Sequence, residues 1–320
     1  MSPSSDPLQD RFRGCLLGLA IGDALGGKFE AQSADGIRAR FPSVEALIAY
    51  PQDEIWYTDD TQMAIGVAET LVEHGAIIED QLCKAFVANY VPSRGYGRGA
   101  RAVLEAMEEG RDYRQVAEQY FPGGSYGNGA AMRVAPVGLL FRDDRAALQE
   151  QARLSALPTH LHPLGIEGAQ LLALGVALCS QSKPFDRAAF LRELVAACTS
   201  DAYRTRLELA SRLEKVDDLG QLGNRIEALD SVPTAIASFA LTPESFASTI
   251  ANVIFLGGDT DTLAAMAGAL SGAYLGASGL AQRLVNLIET SPKGRTYLIE
   301  LADRLLTVYR ERHAIKQPHQ

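Results

Sequence analysis

Apolar residues in this chain return at every third or fourth position over long stretches, which is the period of a helix face and not that of a half-buried strand. Over 62–74 the stripe is Met63, Ile65, Val67, Ala68, Leu71 and Val72, and Gly75 stands where such a helix would stop. Leu82, Phe86, Val87 and Tyr90 form a second stripe, and Val103, Leu104 and Met107 a third. Ala-, Leu- and Gly-rich segments over 165–180, 188–198, 262–276 and 280–289 predict further helices, and 296–312 predicts a final amphipathic one. The segment 262–276 is apolar almost all round. Its small residues, among them Ala264, Gly268 and Gly272, predict a helix buried on most sides with close neighbours. Alternation at period two is scarce and no solenoid repeat of roughly 30–50 residues is present, so the expected class is all-α.

The same pattern bears on organisation. Residues 1–10 have turn composition and predict a flexible tail, 11–312 a single domain, and 313–320 a second flexible tail. Arg11 and Arg13 precede the apolar run Cys15-Leu16-Leu17-Gly18-Leu19-Ala20-Ile21 in the order of a secretory signal. Asp23 interrupts that run early and Asp6 and Asp10 lie upstream, which favours a buried helix instead. Neither 164–180 nor 263–276 reaches the ~20 apolar residues of a membrane span.

Composition narrows the function classes. The chain has 39 acidic and 30 basic residues, a net charge of −9, which argues against direct nucleic-acid binding because phosphates need a basic face. A small anion held by backbone N–H groups stays compatible with that charge. Cys15, Cys83, Cys179 and Cys198 lack C-x-x-C spacing and predict reduced, mostly buried thiols in a cytoplasmic protein.

Two acidic clusters stand where helices begin. In Tyr57-Thr58-Asp59-Asp60-Thr61-Gln62, taken alone, Thr58 is a helix cap and the acids complement the helix dipole. In Gly257-Gly258-Asp259-Thr260-Asp261-Thr262, two acids two residues apart do not both serve one cap, and the paired glycines allow a sharp turn. Together the clusters offer four carboxylates and several threonine hydroxyls at the ends of apolar helices, costly to bury without cations. Oxygen donors without Cys or His point to hard cations such as Mg²⁺ and away from zinc. The loop Gly123-Gly124-Ser125-Tyr126-Gly127-Asn128-Gly129 can approach a ligand closely, as can Arg94-Gly95-Tyr96-Gly97; either could equally be a plain flexible loop. In Thr159-His160-Leu161-His162-Pro163 the ordinary role of the histidines is capping.

In order along the chain, the run Gly14 to Gly26, Thr58-Asp59-Asp60-Thr61, Ser125-Tyr126-Gly127-Asn128-Gly129 and Gly257-Gly258-Asp259-Thr260-Asp261-Thr262 resemble the ADP-ribosylglycohydrolases over about residues 11–312. Phe29-Glu30-Ala31 and Leu222-Gly223-Asn224 make the chain most similar to the serine-directed branch, whose members also cleave poly(ADP-ribose) and O-acetyl-ADP-ribose. The resemblance implies a compact orthogonal all-α bundle around a two-metal cleft. It implies two Mg²⁺, with Mn²⁺ as the alternative, held by Thr58, Asp59, Asp60, Asp259, Asp261 and Thr262. It further implies Glu30, on a mobile loop, and Asp60 as catalytic carboxylates, and an ADP-ribose groove lined by Gly95, Phe121, Gly124, Ser125, Tyr126, Gly127, Asn128, His160 and Ile226. The expected substrate is an ADP-ribosylated protein or ADP-ribose derivative, and the expected state a monomer. The rival expectations are an arginine-directed hydrolase, a non-catalytic ADP-ribose binder and a metal-dependent phosphoesterase.

Overall fold

A computed structural model describes residues 6–181 and 184–316. Among them the chain is helical with no strand, and its only β-type pairing is three isolated bridges, Ser33 with Gly257, Ile55 with Ile288, and Gly127 with Glu227. No helix of the described residues is long and apolar enough to cross a membrane. The all-α expectation holds, and the helix over 62–74 appears as Asp59–His74, closed by Gly75 at φ 69°, a left-handed conformation that suits glycine.

Two expected tails are corrected. The first helix, Pro7–Gly26, begins inside the segment expected to be loose, because Pro7 fits the first helical position and the Asp6 side chain accepts from the Leu8 N–H at 3.0 Å. The last helix, Arg295–Lys316, likewise runs past 312. Residues 1–5 and 317–320 lie outside the described residues.

The first helix is buried from Gly14 to Gly26, as its apolar run predicts. Its two early arginines have structural partners. Arg11 Nη1 donates to the carbonyls of Cys179, Ala273 and Tyr274, at the C-terminal ends of the Pro163–Cys179 and Thr260–Leu275 helices, where carbonyls lack helical partners. Arg13 makes a bidentate pair with Asp303 of the last helix, at 2.7 and 2.6 Å.

The centre of the fold is the antiparallel crossing of the first helix and the Thr260–Leu275 helix. Gly14, Gly18, Gly22 and Gly26 recur at every fourth position, on one face. A Cβ on them would come within 2.3 Å of Gly272 O, 2.3 Å of Gly268 O, 1.9 Å of Ala264 O and 2.3 Å of Thr260 O, respectively. Backbone therefore lies directly on backbone, closer than the usual 8–10 Å between helix axes allows once side chains intervene. The crossing sets the end of one helix, with Asp23 and Gly26, beside the start of the other, with Asp259 and Asp261. Thr260 Oγ1 locks this end by donating to Gly26 O at 2.8 Å.

Candidate metal and ligand cleft

The first acidic loop is built by buried polar side chains. Thr58 caps the Asp59–His74 helix, but only weakly, accepting from the Asp60 N–H at 3.4 Å. The larger part of the capping falls to Asp23 of the first helix. Its fully buried carboxylate accepts from the N–H groups of Thr58 and Thr61 and, at 2.6 Å, from the Thr61 hydroxyl. Just upstream, Tyr57 is pinned at both ends of its peptide unit. Its N–H donates to Glu289 at 3.3 Å, and its carbonyl accepts from Arg94 at 2.7 Å. Arg94 and the fully buried Glu289 form a bidentate pair at 2.6 and 2.7 Å. With the helix start satisfied from elsewhere, Asp59 and Asp60 need not fold back as caps.

The second acidic loop is built mainly from backbone. Gly257 and Gly258 have φ of 67° and 78°, and a Cβ on either would meet a carbonyl, Gln32 O or Asn224 O, at 2.4 Å. Asn224 donates through Nδ2 to the carbonyls of Leu256 and Gly257 and accepts at its own carbonyl from the Asp259 N–H at 3.0 Å. Asp259 occupies the cap position of the Thr260–Leu275 helix without a capping bond, so its carboxylate is free to turn into the cleft, where Asn128 Nδ2 donates to it at 2.5 Å.

Glu30 joins this second loop. Ala31 N–H donates to Gly258 O at 2.9 Å and Gly258 N–H to Gln32 O at 3.1 Å, tying the segment that carries Glu30 to the acidic turn, with Ala31 in a left-handed conformation at φ 62°. One carboxylate oxygen each of Glu30, Asp259 and Asp261 lie within 4.8 Å of one another. The resemblance offered Glu30 as a catalytic carboxylate; the geometry also makes it a candidate ligand.

Electrostatics mark the acids as a set that wants cations. Burial, then Asp23 and Asp261, pushes Asp59 up to about 8. Burial, then Asp23, Asp261, Asp59 and Asp259, holds Asp60 well above the carboxylate range. Asp259 is raised by burial and then Asp261, and Glu30 by Asp261 and then burial. Among the described residues none of these acids pairs with a lysine or arginine, and Asp60 Oδ1 is buried without any hydrogen-bond partner. Oxygen-only donors, mutual repulsion and an orphaned carboxylate oxygen fit divalent hard cations.

From this cluster a cleft of about 670 Å³ extends, within the range of small-molecule sites. Asp59, Asp60, Asp259, Asp261, Thr262 and Glu30 line it, as do Gly95, Phe121, Ser125, Tyr126, Gly127, Asn128, His160 and Ile226. Two expected residues, Thr58 and Gly124, are not part of its lining. Thr58 donates to Asp60 Oδ2 at 3.3 Å. Gly124, at φ 91°, packs its α-carbon against Leu161 and His162, where a Cβ would come within 2.4 Å of the His162 nitrogen. The glycine loop is stitched to residues 226–228 by Asn128 N–H to Ile226 O at 2.9 Å and Ala228 N–H to Tyr126 O at 3.1 Å.

His162 does cap a helix, accepting from the Leu164 N–H, while His160 faces the cleft. Its Nδ1 lies 2.7 Å from Thr159 Oγ1, and burial, then the nearby Arg133 charge, pushes its pKa down to about 3, so it is neutral at ordinary pH.

Sequence reasoning missed Asp23, Asn224, Arg133 and Gly99 as parts of this site. Arg133 is fully buried under the cleft, its guanidinium over the Phe86 ring at 4.7 Å and donating to Ser155 O at 2.7 Å, with burial lowering its pKa to about 9. Gly99 seats Phe121, whose ring would lie 2.2 Å from a Cβ there. The glycine alternation Gly95, Gly97, Gly99 was the available signal for that seat. The available signal for Asp23 was an acid inside the otherwise apolar run from Gly14 to Gly26; nothing local shows which residues it meets.

A model of the ADP-ribosylglycohydrolase family matches residues 4–314. ADP-ribosylhydrolase ARH3 of Homo sapiens is 36% identical over 312 residues, covering 83% of this chain and 85% of its own. The ARH3 of Danio rerio is 34% identical over 355 residues, covering 97% and 95%. A solved structure described as an ADP-ribosylglycohydrolase-related protein complex shares the fold, with a TM-score of 0.73 at 24% identity over 94% of this chain and 99% of that one. Sequence likeness along nearly the whole length, at this level, places the chain in the ADP-ribosylglycohydrolase family and makes it a glycosyl hydrolase.

Proposed function

We propose that this chain is a Mg²⁺-dependent hydrolase that releases ADP-ribose from an oxygen-linked acceptor, serine in proteins first, with O-acetyl-ADP-ribose and poly(ADP-ribose) as further substrates. One observation carries it: a cluster of unpaired acids at one end of a cleft whose other wall combines a glycine loop with the exposed rings of Tyr120, Phe121 and Tyr126. That wall suits a ligand with a flat base at one end, a diphosphate in the middle and a ribose at the acids. The likeness to ARH3 proteins supports the oxygen-linked acceptor.

When bound, the two cations would supply Lewis acidity and a fixed seat for the ribose hydroxyls. Asp59, Asp60, Asp259, Asp261 and Thr262 would hold them, with Glu30 closing the second position. Cleavage at the anomeric carbon passes through an oxocarbenium-like state. Glu30 or Asp60 accepts the proton of the attacking water, and both carboxylates line the cleft among the other acids. Asn128 fixes the rotamer of Asp259. Phe121 on Gly99 stacks the adenine, beside Ile226, and neutral His160 offers a hydrogen bond without adding charge. Four unpaired, buried cysteines accord with a reducing, cytoplasmic setting, where we expect the chain to act as a monomer.

The test is incubation with serine-linked and arginine-linked ADP-ribosyl peptides, with Mg²⁺ or with chelator. Intact ADP-ribose should appear from the serine conjugate only with metal. Asp59→Ala and Asp259→Ala should each cut the rate by roughly 10³-fold or more, the scale of losing a transition-state electrostatic element. Release of AMP instead would make the protein a phosphoesterase, preference for the arginine conjugate would move it to the rival branch, and thermal stabilisation by ADP-ribose without turnover would make it a binder.

A further inference from the structure

Trp56 is the only tryptophan of the chain and is 55% exposed. A single exposed apolar side chain is ordinary; this one differs in how it is held and where. Its neighbours Ile55 and Tyr57 are buried while the indole is exposed. One face of the ring is backed by Arg94, whose guanidinium carbon lies 5.5 Å from the ring centroid. That guanidinium is immobilised by Glu289 and the Tyr57 carbonyl. A ring held against a fixed guanidinium and more than half exposed presents stacking area at little entropic cost.

Its position is equally specific. Two residues further on stands Thr58, the start of the first acidic loop. Gly95, next to Arg94, lies so close to the acids that a Cβ there would be 3.5 Å from Asp59 Oδ1. Yet Trp56 is not part of the cleft wall, whose exposed aromatic residues gather around Tyr120, Phe121 and Tyr126. The bond to be broken sits at the acids, so what lies beyond them, outside the cleft, is the leaving group. A small leaving group has no use for an anchored aromatic platform; a polypeptide does.

We propose that Trp56, backed by Arg94, is the acceptor-side platform of this site, on which the polypeptide bearing the modification lies while its ADP-ribose fills the cleft. This rests on the ADP-ribosyl reading above. Because Trp56 is the sole tryptophan, intrinsic emission reads this one surface. At saturating Mg²⁺, a serine-linked ADP-ribosyl peptide mixed rapidly with the unaltered protein should shift the emission to shorter wavelength before it is turned over, and free ADP-ribose should not. In Trp56→Ala, the ratio of kcat/KM for that conjugate to kcat/KM for O-acetyl-ADP-ribose should fall about fivefold to tenfold, the size of a lost aromatic contact, and Trp56→Phe should restore most of it. An equal emission shift with free ADP-ribose, an emission change on diluting the protein alone (a second copy covering the ring), or an unmoved ratio overturns the platform. Absence of turnover of both substrates by the unaltered protein overturns the ADP-ribosyl reading and the platform with it; turnover with an unmoved ratio removes the platform alone.

Discussion

At residues 58–60 the carboxylates are freed by other side chains: Asp23 takes the helix N–H groups, and Arg94 with Glu289 clamps the preceding peptide. At residues 259–262 the work is done by main chain: left-handed glycines, the Asn224 carbonyl, and a helix lying bare against another helix. The first design relies on buried ionised groups, which are costly unless fully satisfied. The second relies on the absence of side chains at its glycines and on a single neutral amide, Asn224. Both reach the same end, acids at a helix start (Asp59 and Asp60 in one, Asp259 in the other) left free of capping, and they should therefore fail differently.

The largest effect is expected at the helix crossing. Gly22→Ala would gain helix propensity on an exposed surface, but here its methyl would meet Ala264 O. We expect a loss of about 2–4 kcal/mol in urea unfolding, the scale of overpacking a core. A neutral or stabilising result would mean that the crossing yields easily and does not hold the second loop.

Next come the two supports. Asp23→Asn keeps an acceptor for Thr58 and Thr61 but removes the buried charge, and Asn224→Ala removes the clamp on the second loop. Each should weaken metal binding by about 10–100-fold, as loss of an outer partner of a ligand does, read by calorimetric titration with Mg²⁺. The double variant should be near-additive in free energy if the loops are independent constructions. Strong coupling between them would refute the comparison drawn above.

The smallest effect is a pH slope. Asp59 is pushed up to about 8 from an ordinary value near 4. A folded pKa above the unfolded one contributes stability that is complete below about 4 and is lost as pH rises through about 8. His160 works in the opposite sense, with stability lost as pH falls from about 6.5 towards about 3. Between about pH 6.5 and 8.5 only the acids should speak, so the metal-free protein should lose a few degrees of Tm across that window. Mg²⁺ should flatten the slope, since it favours the ionised acids. A chelated protein whose Tm is level or rises there would mean the acids are not in repulsive contact.

Much of this was legible along the chain because it is local. Helix periodicity, Gly75 as a stop and the two acidic clusters are patterns within a few residues. The close packing of the second acidic helix could be read from Gly268 and Gly272, though its partner stripe at Gly14, Gly18, Gly22 and Gly26 was seen only as part of a family motif. What stayed hidden depends on pairing across the fold: Asp23 meets residues 58–61, Glu289 meets Arg94, and Asn224 meets residues 256–259. The helix at Pro7 was missed because turn-forming composition and a proline cap look alike in sequence.

The glycine crossing has a bearing on how such a protein can change. A contact of backbone on backbone has no intermediate settings: there is no slightly larger glycine by which to shift one helix a few tenths of an ångström. The spacing between the two acidic loops is therefore inherited as a fixed gauge, and substrate preference has to be adjusted in the parts stapled on around it, the segments near residues 30, 56, 95, 125 and 225.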